Sequence, residues 1–422
     1  MIFTHLSSYF LITSCIYTVI AFDHHKILFN FKEPKFFHHP SLLNNQKSIN
    51  PSYFNDVLDI FSNNFYKTAS KKNSNILLSP LSVNVILGML AFGAEGNTAS
   101  EILRILCLPS NDQLMINSYK YLIENLMNVQ GGELKNLNKI YISKRLRVKK
   151  IFGNVITNNF HAQGGQLNFY NPNEAANSIN TWVSRATNNK INNIVTVDDL
   201  NTDTAMVITN IVYFKGEWKY KFSNRFSFYF INYDNQTILV SNTMYRKAQF
   251  KYAHLPHIKS KVIELSYKGD ELSMLIVLPD EVHGLDNVEK SLETITLRKL
   301  RKELSLTEVE LALPKFHVEI TNDLNDTLKE MGINQMFMSH ANFRGITDGN
   351  LYVSKIKQKI VIDVSENGVE DTATTSGFFT NGMMGEHINQ QFHANHAFHY
   401  KIIRTVGEHD GIALFAGNYK YI

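Results

Sequence analysis

The segment SPLSVNVILGMLAF, residues 79 to 92, limits the chain more than any other stretch. Proline in a first helical turn sacrifices no hydrogen bond, and Ser79 ahead of it is a type that caps free N–H groups. The helix so begun is apolar on nearly all faces from Val83 to Phe92. A surface helix keeps a polar side, so this one must be enclosed. A chain of 422 residues, 44% apolar and 19% charged, has the composition of a globular protein with a core large enough to enclose it.

Around that helix the chain mixes two periodicities. YFNDVLDIFSNNFY, residues 53–66, carries apolar residues at helical spacing, and residues 177–194, NSINTWVSRATNNKINNI, form a second such helix. Alternating or apolar runs at 139–143, 206–214, 238–242, 262–266, 273–278 and 308–313 read as strands. Mixed strands and helices without a fixed repeat predict an α+β fold, one domain over residues 51–422. Residues 22–50 are expected to form a mobile extension. Their two histidine pairs, His24-His25 and His38-His39, lack metal-ligand spacing.

Residues 1–21 contain no Asp, Glu, Lys or Arg and are mostly apolar from Tyr9 onward. The stretch is short for a membrane span and ends in Val19-Ile20-Ala21, which suits signal-peptidase cleavage. It reads as a secretory signal, although its start lacks a basic residue. Its removal would take Cys15 and leave Cys107 alone, so a secreted, extracellular chain must be held by its core and not by disulfides. Two sequons, at Asn235 and Asn325, fit secretion.

No Gly-x-Ser-x-Gly elbow, His-Glu-x-x-His, phosphate loop or Cys-x-x-Cys occurs, so nothing points to an enzyme or a cofactor. His393, His396 and His399 lie in FHANHAFHYKII, which reads as strand; spacing by three then scatters the imidazoles over both faces and argues against a metal. A net charge of +4 is too balanced to imply nucleic acid. Two basic clusters, Arg145/Arg147/Lys149/Lys150 and Arg298/Lys299/Arg301/Lys302, read first as solvated faces and second as sites for a sulfated polysaccharide or other polyanion.

Several segments together resemble one family. NSNILLSPLSVNVILGMLAFGAEGNTASEI is similar to the second helix of serpins, and ITNIVYFKGEWKYKF to their central-sheet strand. ELALPKFHVEITNDLNDTLKEMGI, ANFRGIT and the stretch from FHANHAFHYKIIRT to GIALFAGNYKYI resemble the family's last third. The likeness runs from about residue 51 to the C-terminus, in family order. It implies three β-sheets, eight or nine helices, and an exposed C-terminal reactive loop. It implies a monomer with no cofactor, whose partner is a serine protease or a cysteine protease. The protease would cut the loop, form an acyl-enzyme, and be trapped as the freed loop enters the large sheet.

The resemblance assigns the hinge to Glu366, Gly368, Val369, Asp371 and Ala373. It places Ser79, Ser82, Asn210 and Gln358 where the central strands part, and Trp218 where the loop first enters. Gln358 stands where the family usually has histidine, and its amide still donates and accepts. Ala397 replaces a usual proline. The hinge itself departs furthest, with Val369-Glu370-Asp371 in place of a Thr or Ser and an alanine-rich run. A non-inhibitory serpin, acting as substrate, carrier or binding protein, is the alternative that this hinge keeps open. Counting from both loop ends brackets the cut between Gly382 and Glu386. Within it Met383–Met384 suits the apolar pocket of a chymotrypsin- or elastase-like enzyme.

Overall fold

The computed structural model describes residues 48–71, 74–127, 129–367, 390–407 and 410–422. The expected signal segment, most of the extension, hinge residues Gly368, Val369, Asp371 and Ala373, and the Met383–Met384 bond lie outside the described residues. Near the first of the described residues, Ile49 is buried and donates its N–H to Ser118 Oγ at 2.8 Å.

Nine α-helices occur among the described residues: α1 (Pro51–Ala69), α2 (Pro80–Gly93), α3 (Gly96–Leu106), α4 (Asp112–Met127), α5 (Lys150–Asn158), α6 (Pro172–Ala186), α7 (Leu285–Leu292), α8 (Leu297–Lys302) and α9 (Asn325–Glu330). Every residue of α2 but Phe92 is buried, as its all-round apolarity requires. Gly88 has a reason to be glycine: a Cβ there would lie 2.5 Å from the Tyr119 ring on α4. Ser79 stands at the N-cap of α2 without capping it, because its hydroxyl donates to Leu414 O at 2.9 Å and meets Ser82 Oγ at 2.8 Å. The helix expected over 177–194 instead spans Pro172–Ala186. Asn188 and Asn189, at φ 53° and 61°, take the left-handed conformation that asparagine tolerates, and this ends it.

Five strands form one sheet in the order β10 (Phe316–Asp323), β11 (Lys355–Val364), β4 (Met206–Gly216), β2 (Gly132–Ser143) and β3 (Gln163–Leu167). A nine-stranded ladder holds β1 (Ile76–Leu78), β14 (Ala413–Tyr419), β13 (Phe398–Arg404), β8 (Leu272–Pro279), β7 (Ser260–Ser266), β6 (Thr237–Leu255), β9 (Ser305–Leu313) and β12 (Gln390–His393), with β5 (Ser223–Ile231) paired to β6. The long β6 joins two of the three sheets that the resemblance implies. It pairs with β7 over Lys251–Leu255, with β9 over Met244–Tyr252, and with β5 from Thr237 to Tyr245.

FHANHAFHYKII is not one strand. It breaks between His393 and Phe398, and the two pieces join different parts of the ladder. His396 lies in the break, its ring nitrogens against Asn395 Oδ1 (2.8 Å) and Pro279 O (2.9 Å).

One core fills the space between the two sheets, with α2 inside it. On the outer face of the five-stranded sheet, Ile179 and Val183 of α6 pack over Val207, Ile211 and Val361. Helices α7 and α8 cover the ladder in the same way. No helix among the described residues is long and apolar enough to cross a membrane.

Candidate functional site

The centre of the five-stranded sheet is a parallel pair, β4 and β11, in which Gln358 stands opposite Asn210. Both side chains are fully buried, so every polar atom on them needs a partner. Gln358 Nε2 donates to Asn210 Oδ1 at 2.8 Å and to Ser79 O at 3.1 Å, and its Oε1 accepts from Ser79 N at 3.1 Å. Asn210 Nδ2 donates to Asn138 Oδ1 at 2.8 Å and to Asn136 Oδ1 at 3.1 Å. On the far side of β11, Asn322 faces Gln358 and donates to Leu77 O at 3.0 Å. Asn322, Gln358, Asn210 and Asn138 thus form one register level across four strands.

This arrangement has a mechanical meaning. Asn210 and Gln358 supply a side-chain link between β4 and β11, and no member of the cluster changes charge with pH. A strand that leaves β11 by a tight turn runs antiparallel to it, and so antiparallel to β4 as well. Inserted between them, it would replace one parallel contact with two antiparallel ones, which are slightly more stable per residue.

The residues after β11, where the hinge is expected to start, are pinned. Trp218 donates its indole N–H to Ser365 O at 2.7 Å and its backbone N–H to Asn367 O at 3.0 Å. Its ring stacks on Tyr267 at 4.4 Å. Phe222 N donates to Glu366 O at 3.3 Å, and the Glu366 carboxylate pairs with Lys315 at 2.8 Å. Ser79, Ser82, Asn210 and Gln358 therefore meet in one network, whereas Trp218 and Glu366 meet at a second place along the same strand.

Sequence reasoning missed Asn136, Asn138, Lys315 and Tyr267. The asparagines carried a signal: they alternate with the same phase as buried Ile140 and Ile142, so two amides lie on an otherwise apolar face. Lys315 and Tyr267 carried none.

The basic clusters differ from their sequence reading. Arg301 is no solvated residue: its guanidinium pairs with buried Glu264 at 2.8 Å and also with Asp410. Burial pushes the Glu264 carboxyl upward, and Arg301 with Lys251 outweighs that and holds it below its ordinary range. In the other cluster Lys149 pairs with Asp348 at 2.7 Å and donates to Arg344 O. Of the two sequon asparagines, Asn235 is exposed at the β5–β6 turn. Asn325 is half-buried, and its amide donates to Ser354 O and accepts from Ile356 N.

The family model described as serpin, serine protease inhibitor, matches residues 57–421. Alaserpin of Manduca sexta is 34% identical over 369 residues, covering 85% of this chain and 91% of that protein. Antichymotrypsin-2 of Bombyx mori is 32% identical over 368 residues, covering 85% of this chain and 96% of that one. The crystal structure of Serpin48 from the insect Tenebrio molitor superposes with a TM-score of 0.77 at 30% identity, over 88% of this chain and 98% of the other. With the parallel strand pair, its buried amide link and the pinned residues 365–367 already in place, these matches put the chain in the serpin family.

Proposed function

We propose that this chain is a secreted inhibitor that traps a chymotrypsin- or elastase-like serine protease. The observation that carries the reading is the β4–β11 boundary: a parallel pair linked by a satisfied amide contact, at the end of which the hinge begins. Residues 369–377, VEDTATTSG, are mostly the small and β-branched types that a strand accepts. After cleavage they would enter between β4 and β11 and carry the acylated protease with them, before water releases it. The names of the similar insect proteins, antichymotrypsin-2 and antitrypsin among them, support a protease partner. Incubation with chymotrypsin-, elastase- and trypsin-like enzymes followed by denaturing electrophoresis tests this. A covalent complex that survives boiling is expected with one of the first two.

The bond cut is Met383–Met384, whose side chains fill an apolar specificity pocket where the flanking glycines offer nothing to grip. The released C-terminal peptide should then begin at Met384. A fragment beginning at residue 379 or 380 would place the cut nearer the hinge and refute the assignment.

One feature supports the alternative, a non-inhibitory serpin. Strand alternation puts Val369, Asp371, Ala373 and Thr375 on one face of an inserted strand, the inward face in this family. An unpaired aspartate there costs several kcal/mol or takes up a proton. Insertion is then slow enough for some protease to escape. Asp371→Ala should raise the yield of trapped complex per molecule cleaved, and identical partitioning of mutant and parent would show that the carboxylate is accommodated.

Secretion through residues 1–21 belongs to the same reading, with Asn235 the glycan acceptor because its amide is exposed. A sulfated polysaccharide is the polyanion that Arg145, Arg147 and Lys150 would meet.

A further inference from the structure

The β4–β11 boundary is not held evenly along its length. At the hinge end, Lys215 on β4 meets Asp363 on β11 at 3.4 Å, with side chains 48% and 33% exposed. Exposed pairs of this kind hold strands weakly. At the opposite end, where both strands begin, residues 187–205 run from α6 to the start of β4 and are tied across to β11 and to the residues just before it. Asp199 pairs with Lys357 at 2.6 Å, each side chain only 12% exposed, and Lys355 lies 3.9 Å from the same carboxylate. Lys359 Nζ donates to Asn193 O at 2.8 Å. Tyr352 OH donates to Asp203 O at 2.6 Å, and Ala205 N donates to Ser354 Oγ at 3.0 Å.

Alternation places Lys355, Lys357 and Lys359 together on one face of β11. Their other carboxylate partners, Asp323 and Glu319, lie on β10, the neighbour of β11 on the side away from the boundary. Among the described residues, Asp199 is the carboxylate that reaches them from the β4 side. It is firmly aimed: Thr196 donates to Asp199 Oδ2 from its backbone N at 2.9 Å and from its hydroxyl at 3.1 Å. Burial works against the charge on Asp199, yet the Lys357 ammonium and Thr196 more than offset it, and the carboxyl stays below the usual aspartate range.

We propose that Asp199 and Lys357 form a latch across the start of the β4–β11 boundary, positioning residues that set how readily the boundary opens far enough for a whole strand to enter. The inference rests on the trapping mechanism proposed above. The hinge end is held by the weak, solvated Lys215–Asp363 pair and by hydrogen bonds from Trp218 and Phe222 to the backbone of residues 365–367, but by no buried ion pair among the described residues. To part at the strand starts, β11 must either leave Asp199 behind or drag residues 187–205 with it. Leaving it behind takes both lysines from a nearly buried carboxylate that then keeps only Thr196, and leaves the Lys357 ammonium with Asp323 alone at 3.4 Å, which is unfavourable. Insertion that stalls there gives water time to release the protease, so the latch sets the share of encounters that end as cleaved inhibitor. Salt screens the exposed Lys215–Asp363 pair and reaches the latch far less.

Hydrogen exchange on the intact, uncleaved protein tests the latch without relying on inhibition. Asp199→Asn and Lys357→Gln should each speed exchange across residues 355–359 and 206–210 by about tenfold, the double variant no further, and residues 361–364 should stay unchanged. Lys357→Gln leaves the Thr196 contact intact and so separates a capping effect from the latch, and Asp199→Glu should restore most of the protection. Both single variants should also lower the number of molecules cleaved per trapped chymotrypsin. Unchanged exchange at 355–359, or effects that add in the double variant, would show that no latch exists. Faster exchange with unchanged partitioning would show that the latch does not govern insertion. A parent that traps none of the enzymes offered would defeat the trapping mechanism alone, because the exchange experiment still decides the latch.

Discussion

The β13–β14 contact and the β4–β11 contact both lie among buried apolar residues and differ in what joins the strands at their middle. Every residue of β13 and β14 is buried, the two pair antiparallel, and Phe398, Tyr400, Ile402, Phe415 and Ala416 belong to the core. β4 and β11 pair parallel, and at their middle the contact is amide to amide, backed by two serines. Apolar burial is lost in full when surfaces separate. A hydrogen bond between amides is different, because each partner accepts a replacement, and only a buried orphan is expensive. The ladder is therefore the part that stays fixed. The amide-linked boundary is the part that, in the proposed mechanism, separates and is satisfied again by a new strand.

Substitutions at the two contacts should separate these roles. Ile402→Ala in the ladder should give the largest loss of stability, about 2–5 kcal/mol by urea unfolding, from lost burial and the cavity left behind. Its effect on exchange should be no greater at residues 206–210 than elsewhere. Gln358→Ala should cost less, about 1–3 kcal/mol, because Asn210 Oδ1 and Ser79 N are left without a partner. Its effect should concentrate on β4 and β11. If Gln358→Ala loosened the whole molecule evenly, the amide contact would be ordinary core and the contrast would fail.

Acid should act on the ladder and spare the boundary. His399 on β13 is buried under the Tyr66 ring at 4.8 Å, and neither ring nitrogen has a partner among the described residues. Burial, reinforced by the Lys401 ammonium, holds its pKa well below the ordinary 6.5. The unfolded chain takes up this proton as pH falls through about 6.5, while the folded one does not, so stability drops on the acid side of that value. His396 and His393, also lowered chiefly by burial, add to the same slope. Unfolding midpoints should fall between pH 7 and pH 5, and His399→Leu should flatten the fall. Ser79, Ser82, Asn210 and Gln358 contribute no slope, since none titrates. Exchange at 206–210 and 355–359, corrected for its intrinsic pH dependence, should therefore change only as much as global stability does.

The enclosed helix, the six strand segments and the α+β class were legible because each is written in local periodicity. The network was not. Gln358 lies 148 residues from Asn210 and 279 from Ser79, and contacts at such range depend on sheet register, which no window of sequence contains. Resemblance to a family supplied those residues where periodicity could not. Asn136 and Asn138 escape for a simpler reason: residues 132–138, GELKNLN, are polar and mostly not buried, so strand periodicity shows only from 139. Helix α6 was misjudged at its end because its periodic pattern continues past Asn188 and Asn189, where left-handed backbone stops the helix.

The smallest expected effect belongs to the pair that sequence gave no reason to notice. Lys315 meets Glu366 at the start of the hinge, with side chains 32% and 25% exposed. Solvent screens such a pair, and exposed ion pairs contribute about 0–1 kcal/mol. Lys315→Ala also leaves Trp218 on Ser365 and Asn367, and Phe222 on Glu366. The thermal midpoint should therefore fall by no more than about 4 °C, less at high salt, with exchange at 355–359 unaltered. A fall as large as that of Gln358→Ala, with opening spread down β11, would mean that the ion pair at the hinge holds the boundary shut. The amide contact would then be a consequence of closure, and the division between a fixed ladder and a separable, amide-linked boundary would have to be redrawn around Glu366.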